Sequence, residues 1–140
     1  MQKNYLEVTR DNISSGVSND VSSLEQRAKE LHGLLNKHAQ NRRTTAVAKV
    51  TNPDGTESIV VASSRKRLDR IQRQNLKPNE VEAIGEGHAE VTIINHAMKN
   101  EQIVVDIAAS RPICPNCADE IKKIGANPVS PLKKTKGGNK

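Results

Sequence analysis

The chain has 140 residues, of which 34% are hydrophobic, and its formal net charge at pH 7 is +6. This length suits one domain. Phe and Trp are absent and Tyr5 is the only aromatic residue, so the core must be aliphatic. The same lack of aromatic side chains removes the usual platforms on which nucleic-acid bases stack. The positive charge favours a polyanionic partner over a small neutral one, and without a long apolar run or a signal segment we expect no membrane association.

The amino-terminal third predicts an arm, a helix and a hairpin. Residues 1–20 are polar and lack periodicity, which indicates a flexible arm or linker ahead of a domain over 21–132. Ser22 and Glu25 match a capping box, and apolar residues recur at helical spacing, so one helix is predicted over 22–40. Strands are predicted over 44–51 and 58–63, because the Asn-Pro-Asp-Gly sequence between them is typical of a turn.

A basic segment follows the hairpin. Residues 65–75 can form a short helix with Leu68 and Ile71 directed inward. Its outward face then carries Lys66, Arg70 and Arg73, which are candidates for contact with a nucleic-acid backbone. The alternative is an ordinary solvated surface helix, and the pattern does not separate the two. Residues 81–87 are predicted to form a loop that turns into the next helix.

The remaining elements alternate between helix and strand. A helix is predicted over 88–100 with Val91, Ile94, Ala97 and Met98 toward the core. Residues 102–109 have the apolar character of a strand buried on both faces, and residues 114–124 predict another helix. Val129 and Leu132 remain for a short last strand, and 133–140 predict a disordered basic tail. This succession predicts a parallel sheet covered by helices.

His88, Cys114 and Cys117 are candidate zinc ligands. The C-x2-C spacing lets two thiolates reach one ion from the first turn of a helix, where Pro115 is tolerated. One imidazole and two thiolates leave the fourth position open, and the nearby Glu90 carboxylate can transfer protons beside the metal without binding it. Alternatives are a redox pair or half of a structural zinc site, although no other cysteine could complete the latter.

The segments GHAEVTIINHA and SRPICPNCADEI, within residues 87–121, resemble the cytidine deaminase-like superfamily. Within it they are similar to the nucleic-acid deaminase domains of bacterial polymorphic toxins. The resemblance implies an α/β fold of three layers, α/β/α, whose mixed sheet has an antiparallel first hairpin and parallel later strands. One departure concerns Ile113, which stands between Pro112 and Cys114 where the family has Pro directly before Cys.

The resemblance implies hydrolytic deamination of cytosine to uracil in DNA, with one zinc ion per chain and Glu90 as the proton carrier. The candidate substrate-binding residues adjoin the motifs: Ala89, Ser110, Arg111, Pro112 and Ile113. Ile113 is expected to shape the pocket mouth, and Arg111 to stack on the base. The resemblance also implies a monomeric toxin domain delivered into the cytoplasm of a target cell and a cognate, acidic immunity protein. RNA, adenine or a free nucleoside as substrate stays open, as does a non-catalytic zinc-stabilised binding module.

Overall fold

The computed structural model describes residues 22–133, so the predicted arm and the predicted tail from residue 134 onward lie outside the described residues. Within this range, the helices are α1 Ser23–His32, α2 Lys37–Arg42, α3 Arg70–Gln74, α4 Ala89–Lys99 and α5 Pro115–Lys123. The strands are β1 Thr45–Thr51, β2 Glu57–Ser63, β3 Glu80–Glu82, β4 Ile103–Ala109 and β5 Asn127–Pro128. Among these helices, none is long and apolar enough to cross a membrane.

The five strands form one mixed sheet in the order β3-β2-β1-β4-β5. Strand β1 pairs antiparallel with both β2 and β4, whereas β3 pairs parallel with β2 and β5 parallel with β4. The turn between β1 and β2 is closed by a hydrogen bond from the Gly55 N–H to the Asn52 carbonyl at 2.8 Å. The predicted α/β class, mixed sheet and antiparallel first hairpin are therefore confirmed. The predicted parallel pairing of the later strands holds for β3 and β5 but is wrong for β4, which pairs antiparallel with β1.

Helices cover both faces of the sheet. Successive residues of each strand point to opposite faces, so the apolar side chains of one strand contribute to a cluster on each side. In β1, Ala46 and Ala48 join a buried cluster with Ile93 of α4 and Ile121 of α5. The intervening Val47 joins a second cluster on the other face, with residues of α1 and the loop before α3: Ala28, Leu31 and Leu68. Both faces of the central strands are thus covered, as the predicted aliphatic core requires.

The single predicted helix over 22–40 is wrong, since two helices occupy this segment. Helix α1 ends at His32, and Asn36 begins α2 by accepting a hydrogen bond from the Ala39 N–H at 2.8 Å. The buried His32 ring lies 2.9 Å from the Gln40 carbonyl through Nε2 and 3.1 Å from Thr45 Oγ1 through Nδ1. These contacts hold the chain in a bend that the helical spacing did not indicate.

The basic helix is shorter than predicted, and its inward residue is a different one. Residues 64–69 form an irregular loop, and α3 begins after Asp69 in a capping box with Gln72. Ile71 is 39% exposed, while Gln72 is buried and donates to the Leu31 carbonyl and Thr45 Oγ1, both at 3.0 Å. The inward direction predicted for Ile71 is wrong because this polar network takes the buried position.

Later elements are close to their predicted places, with four corrections. Strand β3 lies partly in the predicted loop 81–87, and Met98 is 68% exposed rather than in the core. The last strand is Asn127–Pro128, and Leu132 instead forms an isolated parallel bridge with Ile113. The Lys133 N–H donates to the Ile113 carbonyl at 2.7 Å, so the start of the predicted disordered tail is wrong.

Candidate metal centre

His88 and Glu90 lie at the start of α4 and point in different directions. Gly87 has φ of 97°, a left-handed conformation that glycine adopts readily, and it turns the chain into the helix. His88 is the N-cap residue with an exposed side chain, whereas the Glu90 side chain in the first turn is buried, with only 4% of the residue exposed. The imidazole is therefore free to bind an ion at the surface end of the site, and the carboxylate lies below it.

The two cysteines lie at the start of α5, which packs against α4. Cys114 is the N-cap residue, and its sulfur accepts a hydrogen bond from the Cys117 N–H at 3.4 Å. Pro115 occupies the first turn, as predicted, because its missing N–H would have no helical partner there. Both sulfur atoms consequently face the amino-terminal end of α4.

The nitrogen of His88 and the sulfurs of Cys114 and Cys117 lie within 4.8 Å of one another, and this group can hold a metal ion. Zinc bonds of about 2.3 Å to sulfur and about 2.0 Å to nitrogen place the ligand atoms of a tetrahedral site roughly 3.5–3.8 Å apart. The donor types suit zinc, and the 4.8 Å limit on their separation is compatible with such a site. His88 is exposed, so the side facing solvent leaves room for a fourth ligand.

Burial raises the pKa of two acidic groups in the site, the Glu90 carboxyl and the candidate ligand Cys117. It raises the pKa of the Glu90 carboxyl above its usual range, opposed in part by the Glu90 N–H and by His88 and Cys117. It also raises the pKa of the Cys117 thiol, and the Cys114 sulfur and the Glu90 carboxylate add to that rise. Without a metal the Cys117 thiol keeps its proton, so binding of an ion must release it.

A cavity of about 290 Å³ opens beside the ligand group. Its lining comes from the ends of several elements: Thr44, His88, Glu90, Arg111, Pro112, Cys114 and Lys133. Thr44 and Lys133 were missed by the sequence analysis. Thr44 precedes β1, and Lys133 reaches the cavity through its backbone pairing with Ile113, so both positions depend on contacts between distant parts of the chain.

The candidate substrate-binding residues divide into two groups. Arg111 and Pro112 line the cavity, as expected for contact with a substrate. Ala89 is fully buried at the start of α4, and the Ser110 hydroxyl accepts a hydrogen bond from the Thr45 N–H at 3.0 Å. Ile113 requires a correction, because its side chain is fully buried in the core cluster under α5 and does not reach the pocket mouth.

The candidate backbone-binding residues do not lie on one helix face. Lys66 lies in the loop before α3, where it lines a second cavity, while Arg70 is exposed on the helix. Arg73 donates from Nη1 to the Leu68 carbonyl at 2.6 Å, which ties one of its donors to the loop. The predicted outward face of three cations is wrong because the segment over 65–69 is not helical.

Comparisons with models of protein families, with curated proteins and with solved structures find no match for this chain.

The arrangement combines a candidate ion site, a buried carboxylate and a cavity. Chemically, an ion site with an open position and an adjacent carboxylate can activate a nucleophile and move its proton.

Proposed function

We propose that this chain is a zinc-dependent hydrolase that deaminates cytosine to uracil in DNA, on a three-layer, deaminase-like α/β fold. One observation carries the proposal: the carboxylate of Glu90 lines the same cavity as His88 and Cys114 but lies outside the group of candidate ligands. A structural zinc site has no need of a buried carboxylate beside its ligands. A hydrolytic site needs one to move protons.

The reaction requires this chain to bind the base and to transfer protons. Zinc held by His88, Cys114 and Cys117 supplies the Lewis acidity that makes water nucleophilic at neutral pH. The Glu90 carboxylate accepts a proton from that water and delivers it to N3 of the ring as the new C4–O bond forms. Glu90 then takes the proton of the new C4 hydroxyl and transfers it to the leaving nitrogen as the C4–N bond breaks and the C4 carbonyl forms, so the products are uracil and ammonia.

The cavity offers a place for the reacting base, and the positive charge at its wall favours a polymeric nucleic acid as the substrate. Arg111 and Lys133 are exposed cationic side chains at the cavity wall, where phosphates next to an inserted base could be bound. A free nucleoside carries no phosphate for these cations to bind. This comparison favours a nucleic acid over a nucleoside.

The test is product analysis with the zinc-loaded chain. We expect mass spectrometry to find uracil in a DNA oligonucleotide containing one cytosine, and Glu90→Gln to abolish it while zinc remains bound. Parallel reactions with RNA, with an adenine-containing oligonucleotide and with deoxycytidine identify the substrate. If Glu90→Gln retained the parent rate, the proposed proton transfer would be wrong. If none of these substrates were converted, the chain would be interpreted as a zinc-stabilised binding module rather than an enzyme.

The proposed biological role is that of a toxin domain acting in the cytoplasm of a target cell, held in check by an acidic immunity protein. It is supported by the resemblance of the motif segments. Induced expression in a bacterial cytoplasm is expected to stop growth and to raise the uracil content of DNA, and Glu90→Gln should do neither. Growth arrest that persisted in Glu90→Gln without a rise in uracil would contradict this role.

A further inference from the structure

We propose that a cationic rim, defined as Arg65, Lys66, Arg111 and Lys133, binds the phosphodiester backbone of a single nucleic-acid strand whose base enters the cavity. This inference rests on the proposed function for the identity of that base. The rim replaces the face of α3 as the backbone-binding surface. It consists of two pairs of cations, which are joined through the start of β1.

The first pair adjoins the cavity directly. Arg111 and Lys133 both line it and are both exposed to solvent. Arg111 makes one hydrogen bond, from Nη1 to the Asn41 carbonyl at 3.3 Å, which leaves donors of its guanidinium for a phosphate. Lys133 is fixed in place through its main chain, since its N–H donates to the Ile113 carbonyl and Leu132 bridges Ile113.

The second pair lines a neighbouring cavity of about 260 Å³ together with Arg43. Arg43 is followed in sequence by Thr44, which lines the metal cavity, so neighbouring residues of the chain line the two cavities. Thr44 and Ser64 exchange hydrogen bonds, from the Thr44 N–H to the Ser64 hydroxyl and from the Ser64 N–H to the Thr44 carbonyl, both at 2.9 Å. Arg65 follows directly.

A second link ties this loop to the metal ligands. The Gly85 N–H donates to the Lys66 carbonyl at 3.1 Å, three residues before His88 in the chain. The loop that carries Arg65 and Lys66 is therefore anchored at both the β1 side and the His88 side of the metal cavity. A strand bound on this loop can continue to Arg111 and Lys133 on the other side.

Carboxylates beside the second cavity pair with cations that do not belong to the rim. Asp69 pairs with Arg43 at 3.3 Å, and Glu82 lies 3.5 Å from Arg67. Within residues 22–133, no ion pair involves any of the four rim residues. Two such side chains at a cavity that can accept a base, with two more at a second cavity, fit a charged, flexible strand.

The experiment measures binding rather than catalysis. Affinity of the zinc-loaded full chain for a short oligo-dT is followed by fluorescence anisotropy between about 50 and 200 mM salt. Each lost phosphate contact to a single strand should lower the slope of log affinity against log salt by about 0.7. We expect Arg111→Ala with Lys133→Ala, and separately Arg65→Ala with Lys66→Ala, to lower the slope by about 1.4 each.

The matched control removes the same charge from the far end of α5, by Lys122→Ala with Lys123→Ala. It should leave the slope unchanged, and so should the charge-conserving Arg111→Lys with Lys133→Arg. An unchanged slope in both rim variants would overturn the proposal, as would an equal loss in the control, since binding would then follow net charge alone. Equal or tighter binding to phosphatidylserine vesicles would overturn the choice of a nucleic acid.

Because oligo-dT contains no cytosine, this outcome is independent of deamination. Reduced slopes in a protein that converts no base would retain the rim and reject the proposed function. Normal cytosine conversion with unchanged slopes would retain the function and reject the rim. The first rim variant is also checked for zinc content, since Lys133 lies near the ligands; the second variant, in an exposed loop, tests the same inference away from them.

Discussion

At the scale of single residues, one helix start separates a candidate metal ligand from a buried carboxylate. His88 has an extended backbone, with φ of −68° and ψ of 142°, so its side chain leaves the helix before the first turn is formed. Glu90, inside that turn, is directed into the protein and loses water. The two side chains therefore meet the same cavity from different depths, although they are only two positions apart in sequence.

Cys117→Ser should abolish zinc binding and lower stability, because the buried thiolate is one of three candidate ligands and metal binding contributes to folding. Zinc content by inductively coupled plasma mass spectrometry and thermal unfolding measure both effects. Glu90→Gln is the control, since it should keep about one zinc per chain. Stoichiometric zinc in Cys117→Ser would show that the ligand assignment is wrong.

Ile113→Ala should cost about 2–4 kcal/mol of unfolding free energy, because it leaves a cavity in a fully packed cluster. Ile113→Val should cost only about 1 kcal/mol. Urea denaturation measures the difference. If Ile113→Ala kept full stability but changed the base context of the product, the side chain would have to reach the pocket after all.

At the scale of elements, Arg27 ties α1 to the edge strand β3. Its Nε and Nη2 donate to the two carboxylate oxygens of Glu80, both at 2.8 Å, and Nη2 also donates to the Asn75 carbonyl. Burial alone would raise the pKa of the Glu80 carboxyl, but the hydrogen bonds from Arg27 and the Lys77 N–H outweigh it and lower that pKa. The ion pair between Arg27 and Glu80 therefore helps to hold the edge strand β3 in the sheet.

Glu80→Gln should therefore destabilise the protein by about 2 kcal/mol at neutral pH, the usual loss for a hydrogen-bonded charge. Because the folded-state pKa of Glu80 is lowered, its stabilisation is present above the unfolded-state value and disappears as pH falls through the folded value. Urea denaturation should show the parent and the variant converging below about pH 4.

Glu120→Gln is the matched control, since Glu120 and Lys123 form an exposed pair at 3.6 Å. Its effect should stay within about 0.5 kcal/mol at every pH. A gap between the parent and Glu80→Gln that did not narrow in acid would show that the loss is due to packing rather than to the carboxylate's charge.

At the scale of the whole molecule, the metal group joins the starts of two helices on one face of the sheet. Helices α4 and α5 belong to the same core cluster, and β4 runs between them in sequence. An ion bound by both helix starts would therefore restrain this layer against the sheet. Loss of the ion should therefore destabilise the whole domain rather than one loop.

Removing zinc with a chelator should lower the midpoint of thermal unfolding. Zinc present at about 1,000 times its dissociation constant contributes about 4.1 kcal/mol. Calorimetry with and without chelator measures the change, and restored zinc should reverse it. The unfolding midpoint of Cys114→Ser should not change with the chelator. If the midpoint of the parent protein did not change either, the metal would not stabilise the fold.

Local chemistry explains what could be predicted from the sequence. The hairpin follows from turn residues between β-branched runs, and the amino-terminal positions of α4 and α5 follow from His88, Pro115 and the cysteine spacing. Those signals act over a few residues, so no distant contact was needed. The bend after His32 was missed because its ring is held by Thr45, which is remote in the helical pattern.

By itself, the sequence determined the candidate ligand group, the hairpin, the order of the major elements and an aliphatic core, because each depends on residue type and short spacing. Only the tertiary structure decided that Gln72 rather than Ile71 is buried, that Ile113 lies in the core, and that Thr44 and Lys133 line the cavity. These positions depend on strand register and on hydrogen bonds between segments far apart in the chain. A pattern within one segment contains no information about the partner that will cover it.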